Sequence, residues 1–496
     1  MADAHSLLCE TVTGRTMAEV IAKRDAAVAA DMVEVRLDGV EDVDVAGALN
    51  GRRKPVIVTC RAAWEGGRFD GSEEERRAIL VRAVEIGAEY VDVEFNALAS
   101  PQRTPQFDDI VHADRSRVIV SFHDFNGVPS DLPSLAQAMR GTGTAVIKIA
   151  VTAQRLADCL PLMGVARGGD AVVIAMGEAG VPSRLLASRF GSRWTYAGDG
   201  VAPGQIPPQQ MVDRFRFRDV SLSTAVFGVV STNAMHSLSP AMHNAAFAAT
   251  GIDAVYVPLR AADFQDVLAV ADPLGIDGMS VTIPYKLDAL NASAYADDLV
   301  HRVGAANTMR RRGADWAATN TDVGGFLEPL LDEYPSSLDG ARASVLGAGG
   351  AARAVIVGLQ SRGARVTVHA RHRERGHVLA SSFGAALGTW PPSAGSWDVL
   401  VNCTPLGGPS APNESPMAGR PLDGVLVYDL TYGPTESPLV RAARAAGLRA
   451  IDGLPMLVAQ AERQFEWWFS QRPPAGVMRD AALAETGQRA TETQSL

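Results

Sequence analysis

The stretch AVIKIA (Ala145–Ala150) shows the pattern that decides the fold of the first half of this 496-residue chain. It is a short, apolar, β-branched run, which is typical of a strand buried on both faces of a parallel sheet. Working outward, Ala-rich amphipathic stretches separate this run from similar ones on either side. The other runs are Leu7–Val12, Met32–Leu37, Val56–Cys60, Tyr90–Phe95, Val118–Phe122, Ala171–Met176 and Trp194–Tyr196. Eight strand–helix repeats, with no Gly-rich turn after the first strand, predict a (β/α)8 TIM barrel rather than a doubly wound sheet.

A different pattern, SVLGAGGAARAVIV (Ser344–Val357), marks the second half of the chain. The Gly-rich turn Gly347–Arg353 lies between an apolar strand and an apolar helix, where backbone N–H groups can bind a pyrophosphate. The next strand, Arg365–Ala370, ends in HARHRER instead of an acidic residue. Arg371 and Arg373 suit a 2′-phosphate, so the sequence predicts a Rossmann-like lobe that binds NADP(H).

Two changes of pattern suggest domain boundaries. The segment Ile206–Ser223 (IPPQQMVDRFRFRDVSLS) interrupts the strand–helix repeats, which places one boundary near residue 218. The nucleotide-binding pattern places a second one near residue 325. We therefore expect a barrel over 1–218, a substrate-binding lobe over 219–325 that is completed by 453–475, a Rossmann-like lobe over 326–452 and a flexible tail over 480–496.

Composition excludes several classes of protein. The net charge of −10 and the pI near 5.5 argue against nucleic acid as a partner. No apolar run is long enough to cross a bilayer, and the N-terminus lacks the features of a signal peptide. The cysteines show no metal-ligand spacing, so we expect no metal and a reducing compartment. A bacterial cytoplasmic protein is our expectation, with a plastid stromal protein that has lost its leader as the alternative; the four cysteines are Cys9, Cys60, Cys159 and Cys403.

Lys148 is the lone charge in its apolar strand. Burial disfavours the charged form of an amine, and a neutral amine can attack a ketone to form an imine. A solvated strand end is the alternative explanation for Lys148 taken alone. Charged residues at the ends of other strands favour an active site, because the carboxyl ends of barrel strands converge on one face. These residues are Glu34, Arg36, Arg61, Asp92, Glu94 and His123.

Six motifs of the first half, EVRLD, TCRAAWEGG, YVDVEF, SFHDF, IKIAV and GVPSR, resemble type I 3-dehydroquinate dehydratase in order and spacing, over roughly residues 5–215. The resemblance implies that Lys148 forms an imine with the C3 ketone of 3-dehydroquinate. It also implies that His123, oriented by Glu65, removes the C2 proton and later protonates the departing hydroxyl. The implied substrate-binding residues are Glu34, Arg36, Arg61, Arg184 and Gln205. Val201 departs from the family pattern, since a serine usually stands there.

Eight motifs of the second half resemble shikimate dehydrogenase over about residues 225–470. They are HSLSPAMHNAAF (His236–Phe247), GMSVTIPYK (Gly278–Lys286), GAANT (Gly304–Thr308), TNTDVGGF (Thr319–Phe326), GAGGAAR (Gly347–Arg353), NCTPLG (Asn402–Gly407), YDLTY (Tyr428–Tyr432) and DGLPMLVAQA (Asp452–Ala461).

This second resemblance implies that Lys286 and Asp322 form the catalytic pair and that Ser237 and Ser239 bind the substrate carboxylate. The implied contacts to substrate hydroxyls are Thr282, Asn307, Tyr432 and Gln460. The implied cofactor-binding residues are Gly347, Ala348, Gly349, Gly350, Ala351, Arg371, Arg373 and Thr404. Two departures are Ser280, where the family often has Asn, and Ala-Arg-His at 370–372, where it commonly has Asn-Arg-Ser/Thr.

The order of the two halves resembles the bifunctional dehydroquinate dehydratase/shikimate dehydrogenase. In that arrangement the first half makes 3-dehydroshikimate and the second half reduces it to shikimate. The implied ligands are therefore these small molecules and NADP(H), with no nucleic acid, membrane or metal. Three alternatives remain open: quinate oxidation by the second half, a catalytically decayed quinate-responsive sensor, and class I aldolase chemistry in the barrel.

Overall fold

A computed structural model describes residues 5–99, 110–111, 114–433 and 435–494. The chain divides into two compact units. The first comprises Met1–Val226 and Asp253–Gly275, and the second comprises Phe227–Ile252 and Ile276–Leu496. The domain limits expected from the sequence remain predictions.

Eight parallel strands form a nearly closed barrel in the first unit, in the order β7-β6-β5-β4-β3-β2-β1-β8. Between its two ends, the backbone N–H of Arg193 donates to the carbonyl of Ala171 at 3.0 Å. The predicted runs match the strands to within two residues, which confirms the barrel expectation. The strands are β1 Leu7–Val12, β2 Met32–Arg36, β3 Val56–Thr59, β4 Tyr90–Glu94, β5 Val118–Asp124, β6 Val146–Thr152, β7 Ala171–Met176 and β8 Trp194–Ala197.

Helices and short turns connect these strands. The helices are α1 Met17–Ala26, α2 Val45–Leu49, α3 Glu73–Glu85, α4 Phe95–Ala99, α5 Leu132–Arg140, α6 Leu160–Ala166, α7 Val181–Leu185, α8 Ala187–Phe190 and α9 Pro208–Asp213. Single 3-10 turns lie at Ala63–Glu65, Arg115–Arg117, Leu156–Cys159, Glu178–Gly180 and Phe217–Asp219.

Side-chain alternation explains how the barrel carries charges inside an apolar core. Met32, Ile57, Ile119 and Val146 belong to the apolar layer that fills the interior, and Tyr90 packs against it. Residues two positions further along a strand face the same side. The interior positions that follow this layer toward the carboxyl ends are therefore Glu34, Thr59, Asp92, Ser121 and Lys148.

Two sheets form the second half of the chain. In the second unit, one sheet has the strand order β9-β11-β13-β14-β12. The other sheet has the order β17-β16-β15-β18-β19-β20. The strands are β9 Ala225–Ser231, β10 Ala254–Arg260, β11 Ile276–Val281, β12 Tyr295–Ala296, β13 Thr308–Arg312, β14 Asp315–Thr319, β15 Arg342–Leu346, β16 Arg365–His369, β17 Ala386–Leu387, β18 Val399–Asn402, β19 Leu426–Asp429 and β20 Arg449–Ile451.

The β15–β20 sheet is parallel, and its strand order is that of a dinucleotide-binding Rossmann fold. Ten helices of the described chain follow residue 225. One of them, α11, belongs to the first compact unit. They are α10 Ser239–Thr250, α11 Phe264–Ala271, α12 Lys286–Asn291, α13 Asp298–Val303, α14 Asp322–Glu333, α15 Gly350–Ser361, α16 Arg373–Ser382, α17 Pro438–Ala445, α18 Gly453–Phe469 and α19 Val477–Gln494, together with a 3-10 turn at Ala234–His236.

Helix α19 occupies most of the segment for which the sequence predicted a flexible tail. It buries Met478 and Ala482 and packs against α10. The segment is Ala-rich, and alanine has a high helix propensity. A few apolar side chains that pack against the rest of the protein then stabilise the helix. In the described part of the chain, no helix is both long enough and apolar enough to span a membrane.

Candidate active sites

Lys148 lies inside the barrel between two carboxylates. Its side chain is nearly buried, and Nζ donates hydrogen bonds to Asp92 Oδ2 at 3.0 Å and Glu34 Oε1 at 3.3 Å. Nζ also lies 4.3 Å from the centroid of the Tyr196 ring. The sequence predicted a lysine at the barrel mouth, and the structure adds two carboxylates that accept hydrogen bonds from its amine.

Arg61 links the buried carboxylates into one network. Its guanidinium donates to Asp92 Oδ1 at 2.8 Å, Glu94 Oε1 at 3.0 Å and Ser121 Oγ at 2.8 Å. Burial alone would raise the pKa of Asp92, but Arg61 and Lys148 outweigh burial and hold this pKa below its usual range. The predicted substrate ligand Arg61 therefore also keeps an anion next to Lys148.

His123 and Glu65 form the expected pair. His123 Nδ1 lies 2.9 Å from Glu65 Oε1, and the His123 backbone N–H donates to the same oxygen at 3.1 Å. Burial raises the pKa of Glu65 to about 7, although Arg61 opposes this rise. Burial lowers the pKa of His123 well below its usual value, and Arg61 and Lys148 lower it further. The imidazole is therefore neutral near pH 7 and available as a base.

Arg184 is a buried cation without an acidic partner among the described residues. Its side-chain bonds go to the carbonyls of Tyr196 at 3.1 Å and Pro203 at 3.3 Å, and Nε has no partner there. Burial lowers the pKa of Arg184 to about 10. A buried guanidinium without a counter-charge is costly, so this site suits a bound carboxylate.

The remaining predicted barrel residues have protein partners. Arg36 makes two hydrogen bonds to Asp38, at 2.7 and 2.9 Å. Glu34 accepts from the hydroxyls of Thr11 and Thr59, both at 2.9 Å. Gln205 Oε1 accepts from the backbone N–H of Ala202 at 3.0 Å and shapes its own loop.

Lys286 and Asp322 form the second predicted pair. Lys286 Nζ lies 2.5 Å from Asp322 Oδ2, and Asn307 Nδ2 donates to Asp322 Oδ1 at 2.8 Å. Asp322 opens α14, where Gly325 packs against α18. A Cβ added at Gly325 would lie 2.6 Å from Gln460 Cβ, so the glycine allows the close approach that brings Gln460 to the pair.

A buried amide network, which we did not predict from the sequence, extends from this pair. Gln464 Oε1 accepts from Ser280 Oγ at 2.7 Å, and Gln464 Nε2 donates to Thr308 Oγ1 at 3.1 Å. Thr308 Oγ1 in turn donates to Asn307 Oδ1 at 2.8 Å. Gln464 lies one helical turn after the predicted Gln460, and this i, i+4 spacing was the available signal.

The other predicted substrate contacts are placed as follows. Ser237 Oγ accepts from the backbone N–H of Ser239, the first residue of α10, at 3.1 Å. The Thr282 backbone N–H donates to the carbonyl of Val230 at 3.1 Å. Gln460 Oε1 lies 3.5 Å from Asn307 Nδ2, the longest contact of this group. Tyr432 follows β19 and is 37% exposed.

The predicted glycine turn has the geometry that a dinucleotide requires. It joins β15 to the 12-residue helix α15, and Gly347 adopts φ +105°. A Cβ at Gly347 would lie 3.1 Å from Thr404 Cγ2, whereas a Cβ at Gly349 would meet nothing within 4 Å. The helix N-terminus thus offers N–H groups beside open space, with Ala348 and Ala351 in the same turn, and fits a pyrophosphate.

The surroundings of the turn also fit the cofactor. Gly350 is the first residue of α15. A Cβ built on it would lie 3.9 Å from Lys286 Cδ, so the predicted catalytic lysine lies beside the glycine turn. Arg371 and Arg373 follow β16 and are exposed, as a 2′-phosphate contact requires. Thr404 Oγ1 donates to Asn402 Oδ1 at 2.7 Å, so its loop is shaped by Asn402.

The fold and these two constellations define a class of protein: a barrel with a buried lysine in its interior, joined to a Rossmann-type lobe with a glycine turn that fits a dinucleotide. Comparison with known proteins gives the family. Residues 8–221 match type I 3-dehydroquinase, residues 229–309 the shikimate dehydrogenase substrate binding domain, and residues 453–483 the shikimate 5′-dehydrogenase C-terminal domain.

One relative extends this match over 93% of the chain. The chloroplastic bifunctional 3-dehydroquinate dehydratase/shikimate dehydrogenase of Arabidopsis thaliana is 32% identical, over 93% of this chain and 81% of the relative. A shikimate dehydrogenase (NADP(+)) of Methanocella arvoryzae is 39% identical, over 52% of this chain and 97% of the relative. A crystal structure of Thermus thermophilus shikimate 5-dehydrogenase with NADP(H) and shikimate is 35% identical, over 52% of this chain and 98% of that chain, with a TM-score of 0.46. The chain belongs to the family of bifunctional 3-dehydroquinate dehydratase/shikimate dehydrogenases.

Proposed function

We propose that the barrel dehydrates 3-dehydroquinate through an imine on Lys148. The observation that carries this proposal is a buried amine between two carboxylates, in the same barrel mouth as a neutral imidazole oriented by Glu65. Arg184 has no acidic protein partner among the described residues and binds the substrate carboxylate. Membership of the family supports the choice of substrate.

The reaction needs each of these groups in turn. Lys148 Nζ attacks the C3 carbonyl, a water leaves, and the resulting iminium acidifies the neighbouring C2–H bond. His123 takes the C2 proton and gives it to the C1 hydroxyl, which departs as water and leaves a C1–C2 double bond. Hydrolysis of the imine then restores Lys148 and releases 3-dehydroshikimate, so the net change is the loss of one water.

Borohydride trapping tests this step directly. The chain has four lysines, Lys23, Lys54, Lys148 and Lys286, so the labelled peptide identifies the nucleophile without ambiguity. With 3-dehydroquinate and borohydride, the peptide that contains Lys148 should carry the reduced adduct, and dehydration activity should be lost irreversibly. An adduct on another lysine, or an aldol cleavage product, would contradict the assignment.

We further propose that the second half reduces 3-dehydroshikimate to shikimate with NADPH. When bound, the cofactor supplies the hydride. Lys286 donates the proton to the carbonyl oxygen, and Asp322, held by Asn307, orients the ammonium group. Ser237 and Ser239 bind the carboxylate, and Thr282, Asn307, Tyr432 and Gln460 contact the hydroxyls. The glycine turn holds the pyrophosphate, while Arg371 and Arg373 favour NADP over NAD.

Steady-state oxidation assays separate this proposal from quinate oxidation. Shikimate and quinate are each offered with NADP+ and with NAD+, and the four values of kcat/KM are compared. Shikimate with NADP+ should give the highest value. Arg371→Ala should raise the KM for NADP+ by about 10-fold and leave the KM for NAD+ unchanged, because only NADP+ carries the 2′-phosphate. A preference for quinate, or no oxidation of either substrate, would reject the assignment.

A further inference from the structure

Asp429, the last residue of β19, has a fully buried carboxylate that the proposed mechanism does not use. Its Oδ1 accepts from Asn402 Nδ2 at 2.9 Å and from the N–H and hydroxyl of Thr431 at 3.0 and 2.9 Å. Its Oδ2 accepts from Ser437 Oγ at 2.6 Å. Four neutral donors thus surround one carboxylate, and no ion pair joins it to Lys, Arg or His among the residues that the structure describes.

These donors belong to one strand end, one loop and one helix start. Asn402 ends β18 and shapes the loop that follows, because its Oδ1 accepts from Thr404 N–H and its Nδ2 donates to the carbonyl of Leu406 at 3.0 Å. Thr431 precedes Tyr432 in the loop after β19. Ser437 caps α17 by accepting from the N–H of Val440 at 3.2 Å. The carboxylate therefore holds the 403–408 loop and the 430–432 loop to each other.

Close backbone packing shows that both loops depend on this arrangement. Gly407 adopts φ +92°, and a Cβ added there would lie 3.2 Å from Ser437 Cβ and 3.5 Å from Asp429 Oδ2. In the other loop, the carbonyl of Thr431 accepts from the N–H of Gly453, the first residue of α18, at 2.9 Å. A shift of the carboxylate would therefore move Tyr432 and the start of the helix that carries Gln460.

Sheet topology places these loops at one end of the cofactor. The strand order changes direction between β15 and β18, and a dinucleotide lies across such a switch point at the carboxyl ends of the strands. The pyrophosphate belongs at the turn Gly347–Gly350, and Arg371 marks the adenosine side, after β16. The nicotinamide end then lies on the opposite side, beside the loops that follow β18 and β19.

We propose that Asp429 is a positioning residue of the dehydrogenase: its carboxylate fixes the 403–408 and 430–432 loops that form the nicotinamide side of the cofactor site. This inference rests on the proposed function of the second half. Burial raises the pKa of Asp429, and its four donors oppose that rise. Removing the charge weakens several hydrogen bonds at once, because bonds to an ionised acceptor are stronger than neutral ones.

The test measures the Kd for NADPH on the full chain in the absence of substrate. The fluorescence of the nucleotide reports its binding. Asp429→Asn should raise the Kd for NADPH by about 10-fold. Thr431→Val keeps the shape and loses one donor, so it should raise this Kd by about 3-fold.

Asp398→Asn is the matched control. Asp398 lies at the opposite end of the same sheet, where it pairs with Arg342, so its loss should affect stability and not the Kd. A Kd for Asp429→Asn within about twofold of the parent overturns the inference. If Asp429→Asn does not fold, an unchanged Kd in Thr431→Val overturns it equally.

One further variant separates this inference from the proposed function. Lys286→Ala should bind NADPH as the parent does and fail to turn over shikimate. If the parent does not oxidise shikimate, the proposed function is wrong, and if Lys286→Ala oxidises it normally, the proposed role of Lys286 is wrong. In both cases the binding data still decide the role of Asp429.

Discussion

A hydrogen bond joins Glu65 and His123 at the barrel mouth, and this pair should make dehydration sensitive to pH near neutrality. Because the pKa of Glu65 is raised to about 7, the carboxyl ionises as pH rises through that value. The ionised form accepts the Nδ1–H of His123 and leaves Nε2 free as the base. We therefore predict that kcat/KM for 3-dehydroquinate falls as pH drops through about 7.

Glu65→Gln tests this dependence. The amide does not ionise, so the variant should lose the acid limb near pH 7 and show kcat/KM reduced by about 100-fold at high pH. Glu41→Gln removes an exposed carboxylate that pairs with Arg15 and should keep the parental profile. An unchanged acid limb in Glu65→Gln would show that another group controls the rate.

Arg184 provides a prediction in which activity and stability change in different directions. Arg184→Met removes a buried cation that has no acidic partner among the described residues, so the free energy of unfolding should stay level or rise. The KM for 3-dehydroquinate should rise by about 100-fold, because a charge-assisted carboxylate contact is lost. Measurement of KM and of the thermal midpoint on the same sample checks both parts.

The half-buried Arg140, which pairs with Asp170, supplies the control variant Arg140→Met, which should leave the KM unchanged. An unaltered KM in Arg184→Met would place the carboxylate elsewhere.

At this scale the sequence predicted the contacts of His123 with Glu65 and of Lys286 with Asp322, and it missed other contacts of the two sites. Lys148 stands out because it is the lone charge in an apolar strand, and His123 because it lies at the end of one. That Asp92 contacts Lys148, or that Gln464 bridges Ser280 and Thr308, depends on rotamers and on which of several partners lies within reach. Such choices are made by packing between segments far apart in sequence.

At the scale of elements, the contact between α14 and α18 is a tight packing surface of the dehydrogenase. A Cβ at Gly325 would lie 2.6 Å from Gln460 Cβ and 2.8 Å from its backbone nitrogen, so Gly325→Ala must push the two helices apart. We expect the free energy of unfolding to fall by about 1–3 kcal/mol and dehydrogenase activity to drop, with dehydration unchanged. Denaturant unfolding and the two separate assays measure these effects.

Gly324→Ala is the matched control for that change. The nearest atoms to its Cβ would belong to the Arg463 side chain, whose flexible end can move away. It should therefore cost much less stability than Gly325→Ala. Equal losses in the two variants would mean that general helix effects, and not the close contact with Gln460, explain the result.

Element prediction worked best where burial leaves a simple pattern. Barrel strands are buried on both faces, so they appear as continuous apolar runs with sharp ends. The glycine turn between an apolar strand and an apolar helix predicted the Rossmann-like lobe, whereas its strand order comes from the structure. Helix α19 was missed because its sequence is polar and Ala-rich, and its order comes from a few buried side chains such as Met478. The grouping of Asp253–Gly275 with the first unit was not predicted, since long-range contacts leave no local signal.

At the scale of the whole molecule, each of the two units contains a complete set of candidate catalytic groups. The first holds Lys148, His123 and Glu65, and the second holds Lys286, Asp322 and the glycine turn. The proposed product of the first site is the proposed substrate of the second. A single polypeptide should therefore carry out two consecutive steps, and a variant at one site should leave the other step intact.

The most direct test of this two-step function is to give the purified chain 3-dehydroquinate and NADPH, follow NADPH loss, and identify the products by mass spectrometry. We predict shikimate from the parent and no NADPH loss from Lys148→Ala, with oxidation of NADPH restored when 3-dehydroshikimate is added. Lys286→Ala should accumulate 3-dehydroshikimate. The two-step function would be contradicted if Lys148→Ala oxidised NADPH when given 3-dehydroquinate. It would also be contradicted if the parent oxidised no NADPH with either substrate.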